Sequence, residues 1–197
     1  MTQKAPKSLL GSTIYSRYWQ AYGGSKALLK SGYLWSALAI SAVLYPLWST
    51  PGWWELVLSI IPNLLGFSLG GFALWLAIGD DGFRKVITDK AAEQCSAYAS
   101  INASFVHFIL VQAMAVVAAL LAKGYNFALP ADVWVIKYHA NIFYTICAAG
   151  SYLGFSLFVY ALFSALAATM GLFRITQMYE YYLNIEKKND SKPASEQ

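Results

Sequence analysis

Apolar residues run almost without interruption through residues 31–49, 53–78, 101–122 and 142–173, and Glu55 is the one Asp, Glu, Lys or Arg within them. A helix rising ~1.5 Å per residue needs about 20 such residues to cross the hydrocarbon of a bilayer. The pattern therefore predicts an all-α membrane protein with four transmembrane helices. Thr50-Pro51-Gly52 leaves room for no more than a turn, so the first two spans form a hairpin with Trp48, Trp53 and Trp54 at one interface.

Shorter patterns fill the gaps. Within residues 1–30, Tyr15, Tyr18, Trp19 and Tyr22 recur at helical spacing ahead of Gly23-Gly24, which predicts an interfacial helix on the cytoplasmic leaflet. Residues 79–100 form a cytoplasmic loop in which Phe83, Val86, Ile87, Ala91, Cys95 and Tyr98 mark a second helix. Asp80 or Asp81 caps it, and Lys85 and Asp89 pair at i, i+4. The outer connection, residues 124–140, carries Trp134, Val135, Ile136 and Tyr138 and predicts a short element on the membrane surface. Beyond the last span, Ile175, Met178, Tyr182 and Ile185 continue a helical pattern through residues 174–188, a second cytoplasmic extension. Residues 189–197 are polar, the composition of a disordered tail.

Composition agrees with a bilayer setting: 58% of the 197 residues are hydrophobic, 12% are charged and the mean hydropathy is +0.46. The cations fix a direction. Of the 14 Lys and Arg, all but Lys123 and Lys137 fall before the first span, between the second and third, or after the fourth. The positive-inside rule then places both termini of this multi-pass chain in the cytoplasm. The net charge of +4 reads as an orientation and anionic-lipid signal, and no direct nucleic-acid partner is expected. The first 25 residues are polar and aromatic, so the first apolar run is expected to serve as an uncleaved anchor.

Candidate chemistry is sparse. Gly66 and Gly70 form G-x-x-x-G, and Gly150 and Gly154 repeat the device in the fourth span; such small residues let helix backbones approach closely. Leu65-Gly66-Phe67-Ser68-Leu69 recurs as Leu153-Gly154-Phe155-Ser156-Leu157, which admits a two-plus-two repeat or coincidence. Packing within one bundle is the first reading of these stripes; a seam between subunits or a pore lined by Asn63, Ser68 and glycine backbone is the second. Gly66-Phe67-Ser68-Leu69-Gly70 also fits G-x-S-x-G, but that motif acts on a strained strand-to-helix turn, and this one lies in a continuous helix. His107 is expected to be structural. Cys95 and Cys147 fall on opposite sides, and with His107 and His139 they make no metal-ligand cluster, so neither cofactor nor metal is expected and the chain reads as non-enzymatic.

Tyr18-Trp19-Gln20-Ala21-Tyr22-Gly23-Gly24, Pro51-Gly52-Trp53-Trp54, and the run from Leu64 to Ala73 followed by Gly79-Asp80-Asp81 give the chain a further likeness. It resembles small four-span bacterial membrane proteins of anti-phage systems, nearest the membrane subunit of the Kiwa type. The resemblance spans most of the chain and carries no residue-level functional motif. It implies a homo-oligomeric inner-membrane sensor of envelope disturbance or phage entry that works with a soluble cytoplasmic protein. The two cytoplasmic helices would dock that partner, with Arg84, Lys85, Arg174 and Tyr182 as the candidate contacts. The alternative is an ion or small-solute pore formed by the oligomer.

Overall fold

A computed structural model describes residues 13–77, 81–88, 96–127, 130 and 133–190. Over these residues the chain is all-helical: α1 (Ile14–Tyr22), α2 (Gly24–Lys30), α3 (Gly32–Val43), α4 (Tyr45–Trp48), α5 (Trp53–Ala77), α6 (Asp81–Thr88), α7 (Ala97–Gly124) and α8 (Trp134–Asp190). Three stretches are long and apolar enough to cross a membrane: Trp53–Ala77, Tyr98–Gly124 and Ile136–Lys188. They match the second, third and fourth expected spans.

The first expected span is not one helix. α3 ends after 12 residues, about 18 Å, and α4 resumes at Tyr45 with a proline in its first turn. Pro46 has no N–H to continue the α3 ladder, and its ring crowds the carbonyl of Ala42 four residues back. Leu44, at φ −81° and ψ 25°, absorbs the break. The carbonyl of Ser41 is not left bare, because the Trp48 indole donates to it at 2.7 Å. A second cross-brace comes from Tyr152 of α8, whose hydroxyl donates to the Leu38 carbonyl at 3.0 Å.

α5, α7 and α8 pack together, and α3 lies along α8. At one end of the bundle Trp53, Trp54, Val57 and Ile61 of α5 meet Ala115 and Ala119 of α7 and Phe155, Phe158 and Ala161 of α8, with Ala37 of α3 fully buried beside them. Glu55 and Lys123 pair across this end at 2.9 Å with more than half of each side chain exposed. That contact fixes α5 and α7 as antiparallel but contributes about 1 kcal/mol or less. At the opposite end Trp75, Phe105, Ala168 and Ile175 form a second core, onto which α6 lays Phe83 and Ile87. Trp75 donates to Asn102 Oδ1 at 2.6 Å, and the Ser96 hydroxyl caps α7 by accepting from the Ala99 amide at 3.2 Å.

The short element expected at Trp134–Tyr138 is present as a helical segment, set off from the long helix by non-helical backbone at His139 (φ −136°, ψ 30°), after which α8 continues to Asp190. At about 1.5 Å per residue, 57 residues far exceed the ~30 Å of hydrocarbon. The helix also runs into the segment expected as a tail. Gly79, Asp80, Asp89, Cys95 and residues 191–197 lie outside the described residues, and with them the Lys85–Asp89 pair and most of that tail; Asp81 opens α6.

Candidate functional site

The aromatic stripe of α1 is where distant segments meet. Gly23 ends α1 at φ 101°, a left-handed conformation suited to glycine, and a Cβ there would stand 2.9 Å from that of Ala27. The turn lets α1 fold back on α7. Tyr18 and Tyr22 then reach His107, a residue 89 positions away from Tyr18. The Tyr18 hydroxyl is 2.9 Å from Nδ1, the Tyr160 hydroxyl of α8 is 3.0 Å from Nε2, and the Tyr22 ring stacks on the imidazole with centroids 4.0 Å apart.

A neutral imidazole offers one donor and one acceptor, and a phenol can take either role. Both ring nitrogens are therefore satisfied in either tautomer, within a site where His107 is 6% and Tyr160 5% exposed. Burial pushes the Tyr18 pKa up, with Tyr22 adding to the shift, so its hydroxyl keeps its proton at neutral pH. One imidazole thus ties the segment before α3 to two long helices. The stripe was legible in the sequence as an amphipathic helix, but its partner was not, because His107 and Tyr160 each stand alone among apolar neighbours. The contact also lies part-way along the bundle and not at its end: His107 is the eleventh residue of α7.

A second polar contact is deeper. Gln112, fully buried, donates from Nε2 to the Ser68 hydroxyl at 2.8 Å, and its Oε1 has no hydrogen-bond partner. Ser68 is thus held inside the chain and is not hydrogen-bonded to His107, whose nitrogens face tyrosines. It can serve helix packing and cannot line a pore outside the chain.

The small-residue stripes divide. A Cβ on Gly66, Gly70 or Gly150 would meet nothing within 4 Å, so these glycines face outward. Packing within the bundle, the first reading, fails for them. Asn63 lies on the same exposed face of α5 and donates to its own helix at the Ser59 carbonyl, 3.3 Å. Gly154 is different: a Cβ would come within 2.7 Å of the Trp53 ring. Gly71, which the spacing argument passed over, also packs inward, toward Leu172 and Phe105. The two Leu-Gly-Phe-Ser-Leu segments share a buried serine, Ser68 and Ser156, but not a common glycine environment.

Of the candidate docking residues, Arg84 donates to the Leu76 carbonyl at 2.7 Å, where a cation satisfies the end of α5. Lys85 and Arg174 are exposed. Tyr182 is half-buried against Phe83, 5.7 Å between centroids, and stacks with Tyr179, so it holds α6 to α8. Among the described residues no group of His, Cys, Asp or Glu could hold a metal. Comparison with protein-family models, with curated proteins and with solved structures gave no match in any of the three.

Proposed function

We propose that the chain is a non-enzymatic, homo-oligomeric subunit of a bacterial inner membrane, crossing it four times with both ends cytoplasmic, that registers a membrane event and passes it to a soluble cytoplasmic protein. In this reading α3 and α4 together make the first crossing, and α6 with the end of α8 forms the cytoplasmic face. The likeness to Kiwa-type membrane subunits suggests anti-phage defence as the setting.

One observation carries the reading: the imidazole of His107 joins α1 to α7 and α8. A surface helix held on the imidazole by one hydrogen bond and a ring stack has the energetics of a reversible clasp, about 1–3 kcal/mol in all. Membrane thinning or bending would load α1 first, and its release would free α7 and α8, which carry the α6 platform. The test is phage plating on cells expressing the chain with its neighbouring genes. His107→Ala and Tyr18→Phe should lower or unmask protection while the protein still inserts; protection equal to wild type in both would refute the clasp as the sensing element.

A pore remains the second reading because Asn63, Gly66 and Gly70 share an outward face of α5. Brought around an oligomer axis, that face would supply one amide per subunit and exposed glycine backbone. Planar-bilayer conductance that changes in Asn63→Leu would favour it, and silence under varied voltage and tension would count against it.

A further inference from the structure

α3 begins level with Phe163, against which Tyr33 packs at 6.3 Å, whereas α7 and α8 continue well past that level toward Ile175. Beneath the short helix the flank of the bundle is therefore unfilled. Two adjoining cavities, 320 and 480 Å³, occupy the space and share Tyr33, Ser104, Phe108 and Ala167. The first reaches up to Tyr22 and Ser31, and the second down to Arg174 and Met178. Between Ser164 and Met178 the crevice follows α8 for about 20 Å. Its walls are chiefly aromatic and aliphatic; among the described residues no Asp or Glu lines either cavity and Arg174, at the lower end, makes no ion pair.

We propose that this crevice is a binding site for an anionic phospholipid of the leaflet on the Arg174 side, its phosphate on the guanidinium and one acyl chain running up between α7 and α8 to the underside of α1 and α2. Basic pockets between membrane helices select such headgroups, and a guanidinium matches a phosphate in bidentate geometry. The combined volume lies in the ~300–1,000 Å³ range of built ligand sites. A soluble anion would gain the cation but leave the apolar length of the crevice empty. A zwitterionic lipid would fill the length without the net attraction. The site rests on α5, α7 and α8 crossing a membrane, and not on the sensing role.

The test is native mass spectrometry of the full chain released from nanodiscs of equal phosphatidylglycerol and phosphatidylethanolamine. Wild type should retain phosphatidylglycerol selectively. Arg174→Gln, at an exposed position, should lower that selectivity about fivefold. Ala167→Phe, which plugs the waist shared by both cavities, should lower retention of either lipid, and Gly171→Leu lower in the crevice serves should that variant not fold. Lys137→Gln, on the far part of α8, should change nothing. Undiminished selectivity in Arg174→Gln overturns the proposal, as does equal retention of the two lipids by wild type or full retention by folded crevice-filling variants. Displacement of the lipid by millimolar inorganic phosphate would also overturn it, since that would mark a phosphate site and not a lipid one.

Discussion

At the residue scale the buried polar groups make opposite demands from those a count of polar residues suggests. Gln112 donates to Ser68, yet its own carbonyl oxygen is buried without a partner. Ser68→Ala strands the amide donor as well, and a buried unpaired group costs about 1–3 kcal/mol. Gln112→Leu removes both amide functions at similar volume, and the Ser68 hydroxyl it leaves can turn to a carbonyl of its own helix, so the loss should be small. Thermal unfolding in detergent should therefore rank Ser68→Ala below Gln112→Leu, with the double variant near Gln112→Leu; equal losses in the two single variants would show that the hydrogen bond itself contributes little. The glycines behave in the same divided way. Gly154→Leu drives side-chain atoms into the buried Trp53 ring and should cost about 1–3 kcal/mol. Gly66→Ala and Gly70→Ala meet open space, so in the monomeric chain each should be neutral or stabilising by up to about 1 kcal/mol through helix propensity. Spacing alone could not separate these positions. Small residues at i, i+4 mark where a close approach is allowed, but which wall of the helix the chain uses is decided by bulky partners such as Trp53, distant in sequence from Gly154.

At the element scale, long apolar runs were legible because burying backbone in lipid admits little besides helix, and α5, α7 and the middle of α8 follow them. Run length hid one feature. Pro46 sits inside an unbroken apolar stretch, yet it divides α3 from α4 because its missing N–H acts whatever the hydropathy around it. Trp134–Tyr138 was legible by composition as a short element of its own, and non-helical backbone at His139 sets it off from the long helix. For α1, the stripe gave the helix and not its anchor. Tyr18→Phe deletes one hydrogen bond to His107, worth about 1 kcal/mol, so opening of α1 should rise about fivefold. His107→Ala deletes that bond and the Tyr22 stack and should raise it well beyond that. Hydrogen exchange over residues 14–22 measures both, with α5 as the unchanged reference. Equal protection in His107→Ala would mean that α1 is held by other contacts.

At the scale of the whole molecule the parity of crossings decides everything about which surfaces face which compartment. Three long apolar helices alone would put the two ends of the chain on opposite sides, and the proposed fourth crossing rests on α3 with α4. A helix that lies flat on a membrane needs a polar face toward water. α3 has none: Tyr33, Trp35, Ile40 and Val43 are exposed on its outside while Ala37 and Ser41 are buried against the bundle. Residues 31–49 span about 28 Å if helical throughout, close to the hydrocarbon thickness. The break costs less than Pro46 would suggest because Trp48 supplies the donor that Ser41 lacks; unsatisfied groups in lipid cost several kcal/mol. The four-crossing proposal predicts even parity, which can be measured in a background of Cys95→Ser and Cys147→Ser. Thr13→Cys and Lys188→Cys should both resist a membrane-impermeant thiol reagent in spheroplasts and react after lysis, while Lys123→Cys reacts from outside. Labelling of Thr13→Cys from outside with Lys188→Cys protected would leave three crossings. It would also move α1 and its clasp to the far side of the membrane from α6.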